Sequence, residues 1–360
     1  MKEGNEMNAK KLLALLLAIA ALLLVCGCAG AKKTGNTDPA SVPSAVSPTP
    51  SASDGTPDTP APFAGEAVRI ALLSGSTGLG ASKLIADALK GETVNDYTVT
   101  VTADPSEVIA GMKMDKYDLA ALPVNVAAKL YNMADVDVQV VALNTLGVLY
   151  ILENETDTIR SVADLKGKTL YTTGEGATPQ YILEYVLQQN GLKAGEDVTV
   201  IYRATADEVQ ADAVASGSIV MLPEPKATVV SKAIATERYA LDMTREWDKT
   251  SSFKLTQGCV VASRSFAGEH KQALDAFLTE YKASVEFVNK ADDAAADAVV
   301  EAGIIGKAAI AKIAIPRSNL VCLEGVEMKE ALSGTLSVLF SLDAKSVGGK
   351  LPEDDFYYSK

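Results

Sequence analysis

Two short loops rich in Ser, Thr and Gly carry the residues best suited to hold a small ligand. They span residues 74–80 and 172–178, and each lies between an apolar strand pattern and an amphipathic helix pattern. At the start of a helix, free backbone N–H groups, hydroxyl donors and the positive end of the helix dipole all favour an anion. The candidate ligand-binding residues in these loops are Ser76, Thr77, Gly78, Thr173, Gly176 and Thr178.

Three further polar residues are predicted to face the same ligand. Asn125 and Glu224 follow Pro123 and Pro223, which close two equivalent strands, and Gln257 offers a side-chain amide near a later chain crossing. An alternative role for the Ser, Thr, Asn and Glu residues is to cap the following helices, as such side chains commonly do. Both interpretations remain open for each residue. The charge of the ligand also remains open, because Glu175, Glu224 and the scarcity of arginine near the loops are compatible with a neutral or cationic heterocycle.

Catalytic and cofactor motifs are weak in this sequence. Neither glycine-rich loop has the pattern of a dinucleotide-binding or phosphate-binding loop, because the Lys-Ser/Thr ending and the acidic ribose partner are both missing. The single histidine, His270, does not form a metal cluster by itself. We therefore expect no catalytic residue, no metal and no cofactor.

The elements around the two loops repeat along the chain. Matching Gly78 with Gly176, Val99 with Val198 and Pro123 with Pro223 gives offsets of 98, 99 and 100 residues. The pattern predicts two βαβαβ units, with strands at residues 68–73, 97–102, 117–122, 168–171, 198–202 and 218–222.

This repeat predicts a two-lobed α/β fold, in which each lobe is a mostly parallel sheet flanked by helices. Ligands of such sheets bind at the carboxyl ends of the strands, where the two loops would lie. Crossings near residues 144–150 and 254–257 would form a two-crossing hinge. We expect residues 66–147 plus 255–360 to form lobe one and residues 148–254 to form lobe two.

The first part of the chain has the pattern of an export signal. Three lysines precede an apolar run at residues 12–25, which is short for a membrane span. The run ends in Val25-Cys26-Gly27-Cys28, which resembles the lipobox of bacterial lipoproteins. This resemblance implies a signal peptide at residues 1–27 and an acylated Cys28; translation from Met1 or from Met7 is equally compatible with it.

Residues 28–65 have the composition of a lipid anchor followed by a disordered linker. Half of the fourteen prolines lie here, among Ser, Thr and Ala and with almost no large apolar side chain. Basic and acidic residues balance before residue 66, so the net charge of -13 belongs to the folded part. That charge argues against nucleic acid as a partner.

Two cysteines, Cys259 and Cys322, remain after the predicted processing. Outside the cytoplasm a disulfide between them is permitted. Alternatively, both are small buried hydrophobic residues, and the sequence leaves the two possibilities open.

From residue 68 onward the chain resembles the type II periplasmic-binding-protein family, in the branch of nitrate, sulfonate, taurine and thiamine-precursor importers. The segments that carry the resemblance are residues 74–80, 118–123 (DLAALP), 161–168 (SVADLKGK) and 222–225 (LPEP). The resemblance implies a binding protein that closes on a small molecule and delivers it to an ABC permease and its ATPase. It also implies a monomer, lipid-anchored on the extracytoplasmic face of the cell membrane.

Two other functions fit the same fold. Cytoplasmic enzymes of an alternative menaquinone pathway share it, although an export signal argues against that location. A sensory accessory protein would pass its closed shape to a membrane receptor instead of a permease.

We expect the protein produced in its host to carry an acyl group on Cys28, because Gly27 supplies the small residue that the lipobox requires before the cut. Mass spectrometry of the intact protein should show the acyl mass, and the Cys28→Ala variant should lack it while Cys26→Ala keeps it. An acyl group that persists in Cys28→Ala would place the anchor elsewhere.

Overall fold

The computed structural model describes residues 63–359. The predicted signal peptide, Cys28 and the predicted linker up to Pro62 lie outside these residues. Within residues 63–359, no helix has the length and apolar character needed to cross a membrane.

One sheet has six strands, arranged in the order β11-β4-β10-β3-β1-β2. Its strands are β1 (Ala67–Leu73), β2 (Asp96–Thr102), β3 (Leu119–Pro123), β4 (Val138–Leu146), β10 (Thr256–Ser263) and β11 (Leu320–Leu323). We call the part of the chain built on this sheet lobe one.

The other sheet has five strands, in the order β7-β6-β8-β5-β9. Its strands are β5 (Leu149–Asn154), β6 (Thr169–Thr172), β7 (Thr199–Tyr202), β8 (Ile219–Pro223) and β9 (Glu237–Asp242). We call the part of the chain built on it lobe two.

The helices pack on the faces of the two sheets. In lobe one they are α1 (Ser76–Leu79), α2 (Ser82–Ala88), α3 (Pro105–Lys113), α4 (Val124–Tyr131), α9 (Arg264–Glu269), α10 (Lys271–Val288), α11 (Asp293–Glu301), α12 (Ala308–Ala314) and α13 (Gly325–Leu342). In lobe two they are α5 (Thr178–Gln189), α6 (Ala206–Ala213), α7 (Lys226–Ala233) and α8 (Met243–Asp248).

The predicted repeat is present in the structure. In lobe one β1 lies between β2 and β3 and is parallel to both, and in lobe two β6 lies between β7 and β8 in the same way. Pro123 ends β3 and Pro223 ends β8, at the offset predicted from the sequence. The two-lobed α/β class is confirmed.

The prediction of mostly parallel sheets needs a correction, because both sheets are mixed. In lobe one β10 runs antiparallel to β3 and β4, and in lobe two β5 runs antiparallel to β8 and β9. These antiparallel strands adjoin the crossings between the lobes. Each of these strands begins beside the carboxyl end of a repeat strand, β10 at Pro123 and β5 at Pro223. A strand that starts at that end must run antiparallel to the repeat strands.

Both faces of each sheet are buried, so strand residues alternate between two cores. In β1, Ile70 and Leu72 pack on one side of the sheet, whereas Ala71 and Leu73 pack on the other. In β5, Leu149 and Ile151 pack around Trp247, and the intervening side chains face the second core of lobe two. This two-sided burial explains why the strands read as continuous apolar runs.

Cys259 and Cys322 form no disulfide. β4 lies between their strands, which places the strands roughly 10 Å apart. Cys259 packs on one face of the sheet and Cys322 on the other. Of the two possibilities left open by the sequence, the structure has two thiols, and burial raises the pKa of the Cys259 thiol.

Glu237 in lobe two is an acidic side chain to which no group of residues 63–359 donates a hydrogen bond. Both carboxylate oxygens are buried, and Glu153 lies close enough to repel a second negative charge. Burial first and the Glu153 charge second raise the pKa of Glu237 to about 7.

The raised pKa of Glu237 predicts a pH-dependent loss of stability. Its stabilising contribution is complete below pH 4.5, the ordinary pKa, and is lost as the pH rises through about 7. At pH 8 the Glu237→Gln variant should therefore be more stable than the parent by about 1–2 kcal/mol, an amount reduced for partial solvent screening. Urea unfolding at pH 4 and pH 8 measures the difference, which should vanish at pH 4.

The exposed Glu330 provides the matched control. Glu330→Gln should leave the free energy of unfolding within about 0.5 kcal/mol of the parent at both pH values. An equal gain from both substitutions at pH 8 would assign the effect to net charge and not to the burial of Glu237.

Candidate functional site

The first predicted loop lies at the carboxyl end of β1 and enters a very short helix. α1 contains four residues and ends at Gly80, so the single helix expected after this loop is divided into α1 and α2. Gly78 lies against β1, since an added Cβ would approach the carbonyl oxygen of Leu73 to 2.3 Å. Any side chain at this position would displace the loop, which explains the glycine.

Two hydrogen bonds from lobe one fix the backbone of this loop. Asn144 Nδ2 donates to the carbonyl oxygen of Thr77 at 3.0 Å, and Thr145 Oγ1 donates to that of Ser76 at 3.3 Å. Both donors lie near the end of β4, where the chain leaves lobe one. The loop is therefore held by the strand that leads into the crossing.

Ser76 connects the loop to lobe two. Its Oγ donates to the carbonyl oxygen of Glu224 at 2.8 Å, and both residues are buried. Ser76 follows the first strand of the lobe-one repeat, and Glu224 follows the third strand of the lobe-two repeat. The predicted site residues Ser76 and Glu224 are thus in direct contact.

In a second contact between the lobes, the loop belongs to lobe two and its partner to lobe one. Thr178, the first residue of α5, donates through Oγ1 to Asn125 Oδ1 at 2.7 Å, and the two side chains are 3% and 1% exposed. Here the loop after the first strand of lobe two meets the residue after the third strand of lobe one. Four of the nine predicted site residues therefore pair across the boundary between the lobes.

The Glu224 carboxylate turns into lobe two instead of toward lobe one. It accepts hydrogen bonds from the Thr228 backbone N–H at 3.2 Å and from Tyr239 Oη at 2.8 Å. Burial raises the pKa of Glu224, whereas these two donors and the nearby Arg317 lower it. The carboxylate caps the first turn of α7, which is the alternative role that the sequence left open.

Burial first and the Glu224 charge second raise the pKa of Tyr239 to about 12, so this hydroxyl stays protonated and donates at neutral pH. Its donation satisfies one oxygen of a carboxylate that is 2% exposed. Without donors of this kind, burial of the negative charge would be costly.

Gln257 and Gly176 also make internal hydrogen bonds. Gln257 Oε1 accepts from the backbone N–H of Val148 at 2.6 Å, which connects the start of β10 to the first crossing. The backbone N–H of Gly176 donates to Gln180 Oε1 at 2.7 Å, and Gly176 itself is exposed with φ of 69°. The Gly176 amide is therefore already occupied.

Several donors at the predicted site have no side-chain partner among residues 63–359. The hydroxyls of Thr77 and Thr173 make no hydrogen bond there. Asn125 Nδ2 and Gln257 Nε2 make none either, although the side-chain oxygens of these two amides accept hydrogen bonds. All four groups are uncharged and can donate, and the two hydroxyls can also accept. Within the same residues no cluster of three or more His, Cys, Asp or Glu side chains fits a metal ion.

Tyr239, Tyr150 and Arg317 adjoin this site, and the sequence analysis did not single them out. Arg317 belongs to a 3-10 turn of lobe one, and its guanidinium lies 4.6 Å from the centre of the Tyr239 ring. Tyr239 lies on β9, which the sequence analysis did not predict as a strand. Tyr150 lies between Leu149 and Ile151 on the inner strand β5, and Tyr239 lies on the edge strand β9, so neither position carries a local sequence signal of a site.

The architecture and the interlobe loops define a two-lobed ligand-binding protein. The family of periplasmic substrate-binding proteins of phosphonate ABC transporters matches residues 81–308, which is more than half of the chain. This chain belongs to that family, and the resemblance to periplasmic binding proteins that the sequence indicated is confirmed. No curated protein sequence matches the chain significantly.

Solved structures with low sequence identity share the fold. An ABC transporter protein from Parabacteroides distasonis is 23% identical, with a TM-score of 0.69 over 82% of this chain and 99% of that one. The periplasmic aliphatic sulphonate binding protein SsuA from Escherichia coli is 17% identical, with a TM-score of 0.63 over 81% and 95% of the two chains. The alkanesulfonate-binding SsuA from Xanthomonas axonopodis pv. citri, bound to MOPS, is 15% identical, with a TM-score of 0.59 over 81% and 96%.

The buried bond between Thr178 and Asn125 predicts a measurable loss of stability in Thr178→Val. Valine keeps the shape but removes the hydroxyl, so Asn125 Oδ1 loses its donor, at a cost of about 1–3 kcal/mol. Thermal unfolding of the ligand-free protein should show a decrease of several degrees in Tm. Thr169→Val, at an exposed position of β6, is the control and should leave Tm nearly unchanged; equal Tm values for both variants would contradict the prediction.

Proposed function

We propose that this chain is the lipid-anchored, extracytoplasmic substrate-binding component of an ABC importer and that it carries a small sulfonate- or phosphonate-like anion. In this proposal the anchor is Cys28, the protein works as a monomer, and the closed form delivers its ligand to the permease and its ATPase. The proposed role is that of a carrier, not an enzyme.

The observation that carries the proposal is the set of unused neutral donors. The hydroxyls of Thr77 and Thr173, together with Asn125 Nδ2 and Gln257 Nε2, have no partner within residues 63–359. Around them, the oxygens of Asn125, Gln257 and Glu224 already accept hydrogen bonds. Two amide nitrogens that can only donate, together with two hydroxyls that can donate, fit a ligand rich in acceptor oxygens, as a sulfonate or phosphonate group is.

The backbone of the first loop adds two donors of the same kind. The first hydrogen bonds inside α1 come from Gly78 and Leu79 to the carbonyl oxygen of Gly75, so the amides of Ser76 and Thr77 precede them. Such amides are oriented by the loop before a ligand arrives. Binding then requires little rearrangement of this lobe.

The sulfonate-binding proteins that share the fold support the same ligand class. In this proposal the first loop and Asn125 hold the anion from lobe one. Thr173, Gly176, Thr178 and Glu224 complete the site from lobe two, with the last two acting through the contacts that close the lobes. Gln257 contributes from the crossing between them.

The test is a thermal-shift screen of residues 63–360 against ethanesulfonate, taurine, methylphosphonate, nitrate and a thiamine-precursor pyrimidine. A ligand at about a hundred times its Kd stabilises the protein by about 2.7 kcal/mol, which raises Tm by several degrees. We expect the shift with a sulfonate or phosphonate. A shift with the uncharged pyrimidine alone would overturn the proposed ligand class.

The variants Thr77→Val and Thr173→Val then test the site for the ligand that gives the shift. Each should weaken binding by about 1.5–3 kcal/mol, or roughly 10- to 150-fold, because a hydrogen bond to a charged group is lost. Their ligand-free Tm should stay close to the parent value, since neither hydroxyl has an internal partner. Thr169→Val is the matched control in β6, and unchanged affinity in both site variants would exclude these loops from the site.

A further inference from the structure

Arg317 reaches from lobe one to the face of an aromatic ring in lobe two. Its guanidinium lies 4.6 Å from the centre of the Tyr239 ring, while its Nη1 donates to the carbonyl oxygen of Ile313 at 3.0 Å. No Asp or Glu oxygen lies within ion-pair distance of Arg317 in the described part of the chain. The positive charge therefore makes a cation–π contact with the ring, and at longer range it also acts on the Glu224 carboxyl group.

A second tyrosine holds the backbone of the same turn. Tyr150 Oη of lobe two donates to the carbonyl oxygen of Arg317 at 2.9 Å, and the Tyr150 ring meets the Tyr239 ring edge to face at 5.3 Å. The two tyrosines thus bind the side chain and the backbone of one lobe-one residue. This contact is separate from the two hydrogen bonds made by Ser76 and Thr178.

Tyr239 links the Arg317 contact to the candidate ligand site. Its hydroxyl donates to the Glu224 carboxylate, and the Glu224 carbonyl oxygen accepts the hydrogen bond from Ser76. We call Ser76, Glu224, Tyr239 and Arg317 the Glu224 cluster. Arg317 lies in lobe one, Tyr239 and Glu224 lie in lobe two, and Ser76 lies in the first loop of lobe one.

Only part of this cluster depends on closure. The bonds from Tyr239 and Thr228 to Glu224 lie within lobe two, and the Arg317 bond to Ile313 lies within lobe one. The ring contact of Arg317, the Tyr150 bond and the Ser76 bond join the two lobes. A contact shifts an equilibrium between open and closed forms only if it differs between them, and contacts that join the two lobes are the kind that separation of the lobes would break.

We propose that Arg317 is a positioning residue that stabilises the closed form through Tyr239, and that it thereby slows the release of the ligand. The closure part of this inference stands on the interlobe contacts alone. The ligand-release part rests on the proposed function. Arg317 makes no hydrogen bond or ion pair with a predicted ligand-binding side chain. It is connected to them through Tyr239, whose ring it contacts and whose hydroxyl donates to Glu224.

The test measures the distance between the lobes in the ligand-free protein. Spin labels at Leu89→Cys in lobe one and Val214→Cys in lobe two report this distance, because both positions are well exposed, at 69% and 65%. A Cys322→Ser background avoids labelling at that position, and Cys259 is fully buried. Pulsed electron-spin resonance then gives the fractions of open and closed protein.

Arg317→Ala should lower the ratio of closed to open protein roughly fivefold, the weight of one partly desolvated cation–π contact. Tyr239→Leu should have a similar effect, whereas Tyr239→Phe keeps the ring and should change the ratio less. The matched control is Arg245→Ala. Arg245 lines the same cavity of about 530 Å³ as Arg317, but its side chain is 82% exposed and pairs with Asp242 of its own lobe.

With the ligand found in the thermal-shift screen, Arg317→Ala should raise the dissociation rate about fivefold and leave the association rate nearly unchanged. Circular dichroism should show that all variants keep the parent fold. A parent-like closed fraction in Arg317→Ala, or an equal decrease in Arg245→Ala, would overturn the inference. Failure of every probe to bind would overturn the proposed function alone, because the ligand-free distances would still test closure.

Discussion

Two buried hydrogen bonds between the lobes, from Ser76 to Glu224 and from Thr178 to Asn125, organise the site. In each, the loop after the first strand of one lobe meets the residue after the third strand of the other. This exchange follows from the repeat, because parallel strands place the loops after them at the same edge of each sheet. Where two such edges face each other, the contacts come in a reciprocal pair.

Hydrogen-bond satisfaction then determines what these edges can bind. The buried Glu224 carboxyl group, whose pKa is raised by burial, accepts hydrogen bonds from Tyr239 Oη and from the Thr228 N–H of α7, so it does not present a free acceptor to a ligand. The oxygens of Asn125 and Gln257 are also occupied, while their nitrogens and the hydroxyls of Thr77 and Thr173 have no internal partner. In the proposed function, these uncharged groups would donate to an acceptor-rich ligand.

The same bonds connect binding to movement of the lobes. Gln257 accepts from Val148 in the first crossing, and Asn319 Nδ2 donates to the carbonyl oxygen of Gly147 at 2.5 Å, so the crossing is tied to lobe one on two sides. Gly147 leaves no room for a side chain, since an added Cβ would come within 2.1 Å of Thr244 Oγ1. A crossing this constrained would limit the paths along which the lobes separate, and the contact of Arg317 with Tyr239 lies beside it, two residues from Asn319.

The sequence by itself determined the repeat and the strand ends at Pro123 and Pro223, because apolar periodicity and turn residues are local signals. The family was indicated by the resemblance of four short segments to known members. The sequence also selected the loop residues and Asn125, although capping and ligand binding use the same residue types, and the sequence left that choice open. Only the tertiary structure decided the antiparallel strands β5 and β10, the separation of Cys259 from Cys322 by β4, and the direction of the Glu224 carboxylate. The contact of Arg317 with Tyr239 joins residues 78 positions apart in different lobes, and no local pattern records such a distance. Contacts of this kind depend on how the sheets face each other, which only the packing of the whole chain settles.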